Sequence, residues 1–134
     1  MNDLPSGCAK LTLGEVGDVF RNVRAHLKKD GYFLFDVNTP KLYEDKQHGT
    51  IHRSINGYEF DQVLLYDAEK RISKTRFEFD DGSHEEHVQR PYTHDEMEMK
   101  IHDSGLRLIR SFDNNELRPP ESNSYKIYFL AQRS

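Results

Sequence analysis

Residues 12–40 read TLGEVGDVFRNVRAHLKKDGYFLFDVNTP, and the change of rhythm inside this stretch decides the fold class. Thr12-Leu13-Gly14-Glu15 has the form of a capping box: the Thr12 hydroxyl can accept an exposed backbone N–H while Glu15 reaches back. Leu13, Val16, Val19, Phe20, Val23 and Leu27 follow at helical spacing and form one apolar stripe. Gly17 inside the stripe costs about 1 kcal/mol relative to alanine. Lys28 and Lys29 suit the negative end of the helix dipole, and Gly31 is placed to take the left-handed conformation past the last turn. Then Tyr32 to Val37 runs aromatic and nearly uninterrupted by charge, which reads as a strand covered on both faces. Asn38-Thr39-Pro40 ends it, and Pro40 opens a short helical turn through Tyr43.

Downstream, from about Thr50 to Tyr92, the text alternates. Ile51 to Ile55 reads as a strand closed by the hairpin dipeptide Asn56-Gly57, and Tyr58 to Tyr66 as its partner. After a turn at Asp67 to Lys70 comes a third strand, Arg71 to Phe79, with Ser73, Thr75, Phe77 and Phe79 on one face. Asp81-Gly82 turns the chain into His84 to Tyr92, where Val88, Arg90 and Tyr92 share a face. A second capping box, Thr93-His94-Asp95-Glu96, opens a helix through Met97 and Ile101 that ends at Gly105. Leu106 to Phe112 is a strand, Asp113 to Ser124 a loop, and Tyr125 to Ala131 the closing strand. Upstream, Met1 to Leu11 is an irregular lead-in. The expectation is one α+β domain over residues 1–134: lead-in 1–11, helix plus core strand 12–40, antiparallel meander 50–92, helix and two closing strands 93–134. It combines a mixed sheet of about three strands and two helices with a meander of three to four strands.

The bulk properties narrow the partners. A formal net charge of -4 with pI near 6.0, and basic residues interleaved with acidic ones, gives no reason to expect nucleic acid. No apolar run approaches the roughly 20 residues of a membrane span, and no signal-peptide stretch opens the chain. Cys8 is the single cysteine, which excludes an intrachain disulfide and suggests a reducing, cytoplasmic setting. It has no activating base in sequence, so nucleophilic catalysis is unsupported. His84-Glu85-Glu86-His87 is not a metal motif, because two histidines three apart on a strand face opposite sides. His94 and His102 lack neighbouring cysteine. All four are expected to be solvated surface histidines, and no metal ligand or catalytic residue is assigned.

The ordered succession of these pieces carries a resemblance. The segment Val19 to Pro40, then His87-Val88-Gln89-Arg90-Pro91-Tyr92-Thr93 with Glu96 and Gly105-Leu106, and finally Lys126 to Ala131, resembles the carboxyl-terminal half of small class I S-adenosylmethionine-dependent methyltransferases with an inserted antiparallel sheet. The resemblance implies a partial Rossmann-like fold in which Tyr32 to Val37 is the fifth strand. It implies a substrate mouth at Asp36, Asn38 and Thr39, with Arg90 and Tyr92 matching positions of the inserted sheet. In that family a glycine-rich turn after the first strand lets the backbone approach the cofactor. This sequence has no G-x-G-x-G anywhere. The resemblance therefore implies that this chain alone binds no cofactor, and that S-adenosylmethionine enters only when an amino-terminal half completes the fold. It also implies that Tyr32 to Val37 has an unpaired edge, to be covered by the lead-in, by a second copy in a homodimer, or by a partner chain. A methyltransferase fragment or subunit is one functional reading; a non-catalytic interaction or small-ligand module derived from the fold is the alternative.

Overall fold

In the computed structural model, residues 11–46, 48–113 and 118–134 are described. Cys8, most of the lead-in and Asn114-Asn115 lie outside them. Helix α1, Leu13–His26, starts from Thr12 as its capping box requires. The Thr12 hydroxyl accepts from the Glu15 N–H at 3.3 Å, and the Thr12 N–H donates to the Glu15 carboxylate at 3.1 Å. The helix stops differently from expectation. Leu27 turns extended while its N–H still reaches the Val23 carbonyl, and Asp30, not Gly31, takes the left-handed conformation at φ 64°. Gly31 is needed for closeness instead: a Cβ there would lie 2.9 Å from the Lys28 carbonyl oxygen.

Strand β1 follows as Tyr32–Asn38, and helix α2 as Pro40–Lys46. The helical turn expected at Pro40 thus becomes a third helix, supported by a Lys41–Asp45 ion pair one turn apart and by the buried Tyr43. The meander comprises β2 (His48–Ile55), β3 (Tyr58–Asp67), β4 (Ile72–Phe79) and β5 (His84–Gln89), each antiparallel to the next. Asn56 and Gly57 both have positive φ, as the tight hairpin turn demands. Strand β5 ends at Gln89, three residues short of the expected Tyr92. Pro91 has no N–H to give a ladder, so Arg90 and Tyr92 belong to the connection into α3 and share no strand face with Val88.

Helix α3, His94–Asp103, is capped by Thr93 and Glu96 as read from the sequence. Strands β6 (Leu106–Asp113) and β7 (Lys126–Arg133) complete a sheet of order β1-β7-β6. Both pairings are antiparallel, so the sheet is not mixed. An edge strand whose sole described neighbour is β7 has no parallel partner to pair with.

The core lies on one side of this sheet. Phe33, Phe35 and Val37 align with Ala131, Phe129 and Ile127 across the ladder, and Val16, Phe20, Met97 and Ile101 of the two long helices close over them. Phe35 is 4.9 Å from Phe20 and 5.2 Å from Phe129, centroid to centroid. The other face, carrying Leu34 and Asp36, is only half-buried, so β1 is not covered on both faces. Its alternation was hidden because Leu34 is apolar on the open side. Among the described residues, no helix is long and apolar enough to cross a membrane.

Candidate functional site

The carboxyl end of β1, the first turns of α2 and α3, and the approach to β7 converge on a cleft of about 570 Å³. That volume is within the range of small-molecule sites. Pro40 and the Thr93 capping box, both local signals, bring the two helix starts to the same rim. The floor is a closed hydrogen-bond network. Thr39, buried, donates its hydroxyl to the Ser124 carbonyl at 2.5 Å and its N–H to the Tyr125 carbonyl at 2.9 Å. The Ser124 hydroxyl donates to the Asp113 carboxylate at 2.8 Å and accepts from the Glu121 N–H at 2.9 Å.

The rim is charged. Glu44, Asp95 and Glu121 face the cleft, with Lys41 the cationic group among the lining side chains. Asp45 holds the Lys41 ammonium at 3.1 Å, and that hydrogen bond raises its pKa above the ordinary lysine value. His94 is a half-buried member of the wall rather than a solvated surface group. Its ring packs on Phe129 at 5.3 Å, and Nε2 lies 2.8 Å from the Ser111 hydroxyl. Nδ1 faces Glu98 at 3.4 Å and Asp95 at 3.6 Å. One ligand atom from each of His94, Asp95 and Glu98 falls within 4.8 Å of the others, a grouping able to attract a cation but with both carboxylates in water. His84, His87 and His102 are exposed, as expected.

Beside the cleft lies the seat of the meander. Asn38 donates to the Tyr43 hydroxyl at 3.1 Å, which donates to Gln89 at 3.0 Å, and Tyr43 stacks on Tyr66 at 5.6 Å. Burial pushes both tyrosine pKa values upward. Arg71 completes the seat with a fork on Glu96: Nη2 at 2.5 Å from Oε1 and Nη1 at 3.2 Å from Oε2. Burial alone would raise the Glu96 pKa, but the hydrogen bonds from Arg71 and from the Thr93 N–H outweigh it, and the net shift is downward.

The five positions singled out in the sequence are therefore divided. Thr39 lines the cleft, and Asn38 is next to it in the meander seat. Tyr92 is buried core; its N–H donates to the Asn38 carbonyl at 3.0 Å and its hydroxyl to the Leu11 carbonyl at 2.5 Å. Asp36 is on the open sheet face, 3.9 Å from the Lys126 ammonium. Arg90 is half-buried just past β5, where its charge acts on Glu15. Sequence reasoning missed His94, Asp95, Glu44 and Glu121, whose convergence depends on contacts distant in the chain.

The described glycines offer no cradle for an adenosyl group. Gly14 and Gly17 are inside α1, Gly31 and Gly105 pack against Lys28 and Arg24, and Gly49, Gly57 and Gly82 stand in open space on the meander. None joins the end of a strand to the N-terminus of a following long helix, the arrangement that lets backbone approach a nucleotide.

The fold is that of S-adenosylmethionine-dependent methyltransferases, matched over the larger part of this chain. Among solved structures, a methyltransferase from Clostridium acetobutylicum ATCC 824 superimposes with a TM-score of 0.80 at 20% identity, over 97% of this chain and 55% of that one. CcbJ from Streptomyces caelestis gives 0.72 at 15% identity, over 94% and 53%. CalS10, an amino pentose methyltransferase from Micromonospora echinaspora solved with S-adenosylmethionine bound, gives 0.67 at 15% identity, over 98% and 56%. This chain thus spans about half the length of the structures it matches. No family model matches the sequence. No curated protein matches it either.

Proposed function

We propose that this chain is the acceptor-side part of an S-adenosylmethionine-dependent methyltransferase, a fragment or subunit that does not bind the cofactor or transfer methyl groups by itself. One observation carries the reading: nearly the whole chain superimposes on about half of the Clostridium enzyme, and the described residues hold no glycine cradle. The cleft at Thr39 is where the methyl acceptor would lie, since ligands of open α/β sheets bind beyond the carboxyl ends of strands. The donor site would come from residues other than those described. The outer edge of β1, Tyr32 to Val37, is the place for a partner, either a second copy or the donor-bearing chain.

Calorimetric titration of the purified chain with S-adenosylhomocysteine tests this reading. No heat of binding is expected. Saturable binding in the micromolar range would overturn the separation of donor from acceptor. The second reading, a non-catalytic ligand or interaction module, is favoured by the same missing cradle. An open frame directly upstream that encodes a G-x-G-x-G segment would decide for the enzyme part.

A further inference from the structure

Two blocks make up the described residues, the four-stranded meander and the sheet-and-helix body. The extensively packed pairs of elements all lie within the meander or within the sheet-and-helix body. Between the blocks stand the Tyr43–Tyr66 stack with its bond to Gln89, and the Arg71 fork. We propose that Arg71 is a positioning residue that clamps the meander to the first turn of α3 and so sets the cleft wall formed by Thr93, His94 and Asp95.

The clamp has three grips. Arg71 binds both oxygens of Glu96, and its Nη2 also donates to the Pro91 carbonyl at 3.2 Å. Glu96 is at the same time the capping partner of Thr93, accepting its N–H at 2.9 Å. The pair therefore ties the β3–β4 turn to the very residues that start α3. A bidentate guanidinium–carboxylate contact fixes orientation as well as distance, which a lysine point charge does not. The backbone supports this assignment. Arg71 holds a left-handed conformation at φ 54°, where glycine is free of strain and arginine is not. If only the turn mattered, glycine would serve it better.

The bearing of the clamp on acceptor binding rests on the acceptor-side reading; the clamp itself does not. Amide exchange by NMR on the full chain, with no ligand present, separates the two. In Arg71→Gly, the amides of Tyr92 and Met97 should exchange about tenfold faster, the lower end expected for a lost charge-assisted bond. The near-UV signal of the stacked tyrosines should fall with them, while ladder amides of β6 and β7 keep their protection. Glu96→Gln should reproduce the effect at Tyr92, because glutamine still serves the cap but not the ion pair. Arg71→Lys should recover part of it. Unchanged or slower exchange in Arg71→Gly would overturn the proposal, making Arg71 an ordinary turn residue. Loss of protection in β6 and β7 in both variants would also overturn it, because the pair would then support the whole fold rather than seat one block on the other.

Discussion

Thr39 shows how one side chain can be both legible and misread. Its place after a strand and before Pro40 marks a turn whatever the ligand. The structure adds that its hydroxyl is buried and spent on the Ser124 carbonyl, 85 residues away in sequence. Thr39→Val keeps the shape and removes the donor. It should cost about 1–2 kcal/mol in urea-induced unfolding, the penalty for a buried carbonyl losing its partner. A neutral result would mean that the bond from the Thr39 N–H to the Tyr125 carbonyl alone holds the loop. His94 teaches the converse. Counting neighbours in sequence puts it in water, whereas Phe129 and Ser111, which trap its ring, are invisible at that range.

Among the elements, those governed by local chemistry are readable in the sequence. Both capping boxes, the Asn56-Gly57 hairpin and the stop at Gly105 depend on residues within a turn of each other. Partners in a sheet do not. Nothing in Tyr32 to Val37 says that its neighbour is a strand beginning at Lys126 and running the opposite way. Strand β6 hides a further trap. Simple alternation from Leu106 would point Phe112 inward, but the ladder shifts between Leu108 and Arg110, leaving Ile109 as an extra residue. Parity then flips: Ser111 faces Phe129 and His94, while Phe112 turns out to stack on Tyr128 at 5.4 Å. The start of α3 also carries a pH signature. The folded-state pKa of Glu96 lies below its ordinary value of 4.5, so its contribution is present above that value and fades as pH falls through the folded one. Denaturant midpoints measured between pH 7 and pH 3 should therefore drop more steeply for the wild type than for Glu96→Gln. Parallel curves would remove Glu96 from the acid response.

For the molecule as a whole, the decisive fact is asymmetry of cover. Both long helices lie on one side of a three-stranded sheet, and β1 forms one edge of it, with β7 as its described neighbour and no other. Tyr32, 57% exposed, and the half-buried Leu34 keep that border apolar. Sedimentation at micromolar concentration is expected to give a two-fold dimer paired along this strand, and Leu34→Lys to shift it toward the monomer. A wild-type chain that stays monomeric at every concentration would exclude self-pairing and leave the edge to a different chain. The order of elements was enough to see a methyltransferase-like α/β fold, but not that its three-stranded sheet is wholly antiparallel. The cleft was not, because its walls come from residues 39–44, 93–95 and 120–127, brought together only when the chain closes on itself.

The saturated floor of the cleft has a consequence for whatever enters it. Thr39 and Ser124 have already given away their hydroxyl hydrogens, so neither offers a guest a donor, and the carboxylates of Glu44, Asp95 and Glu121 around the rim favour a cationic one. Attraction of that kind reaches only about 8 Å through physiological electrolyte. Occupancy by a cationic guest should accordingly fade as potassium chloride is added.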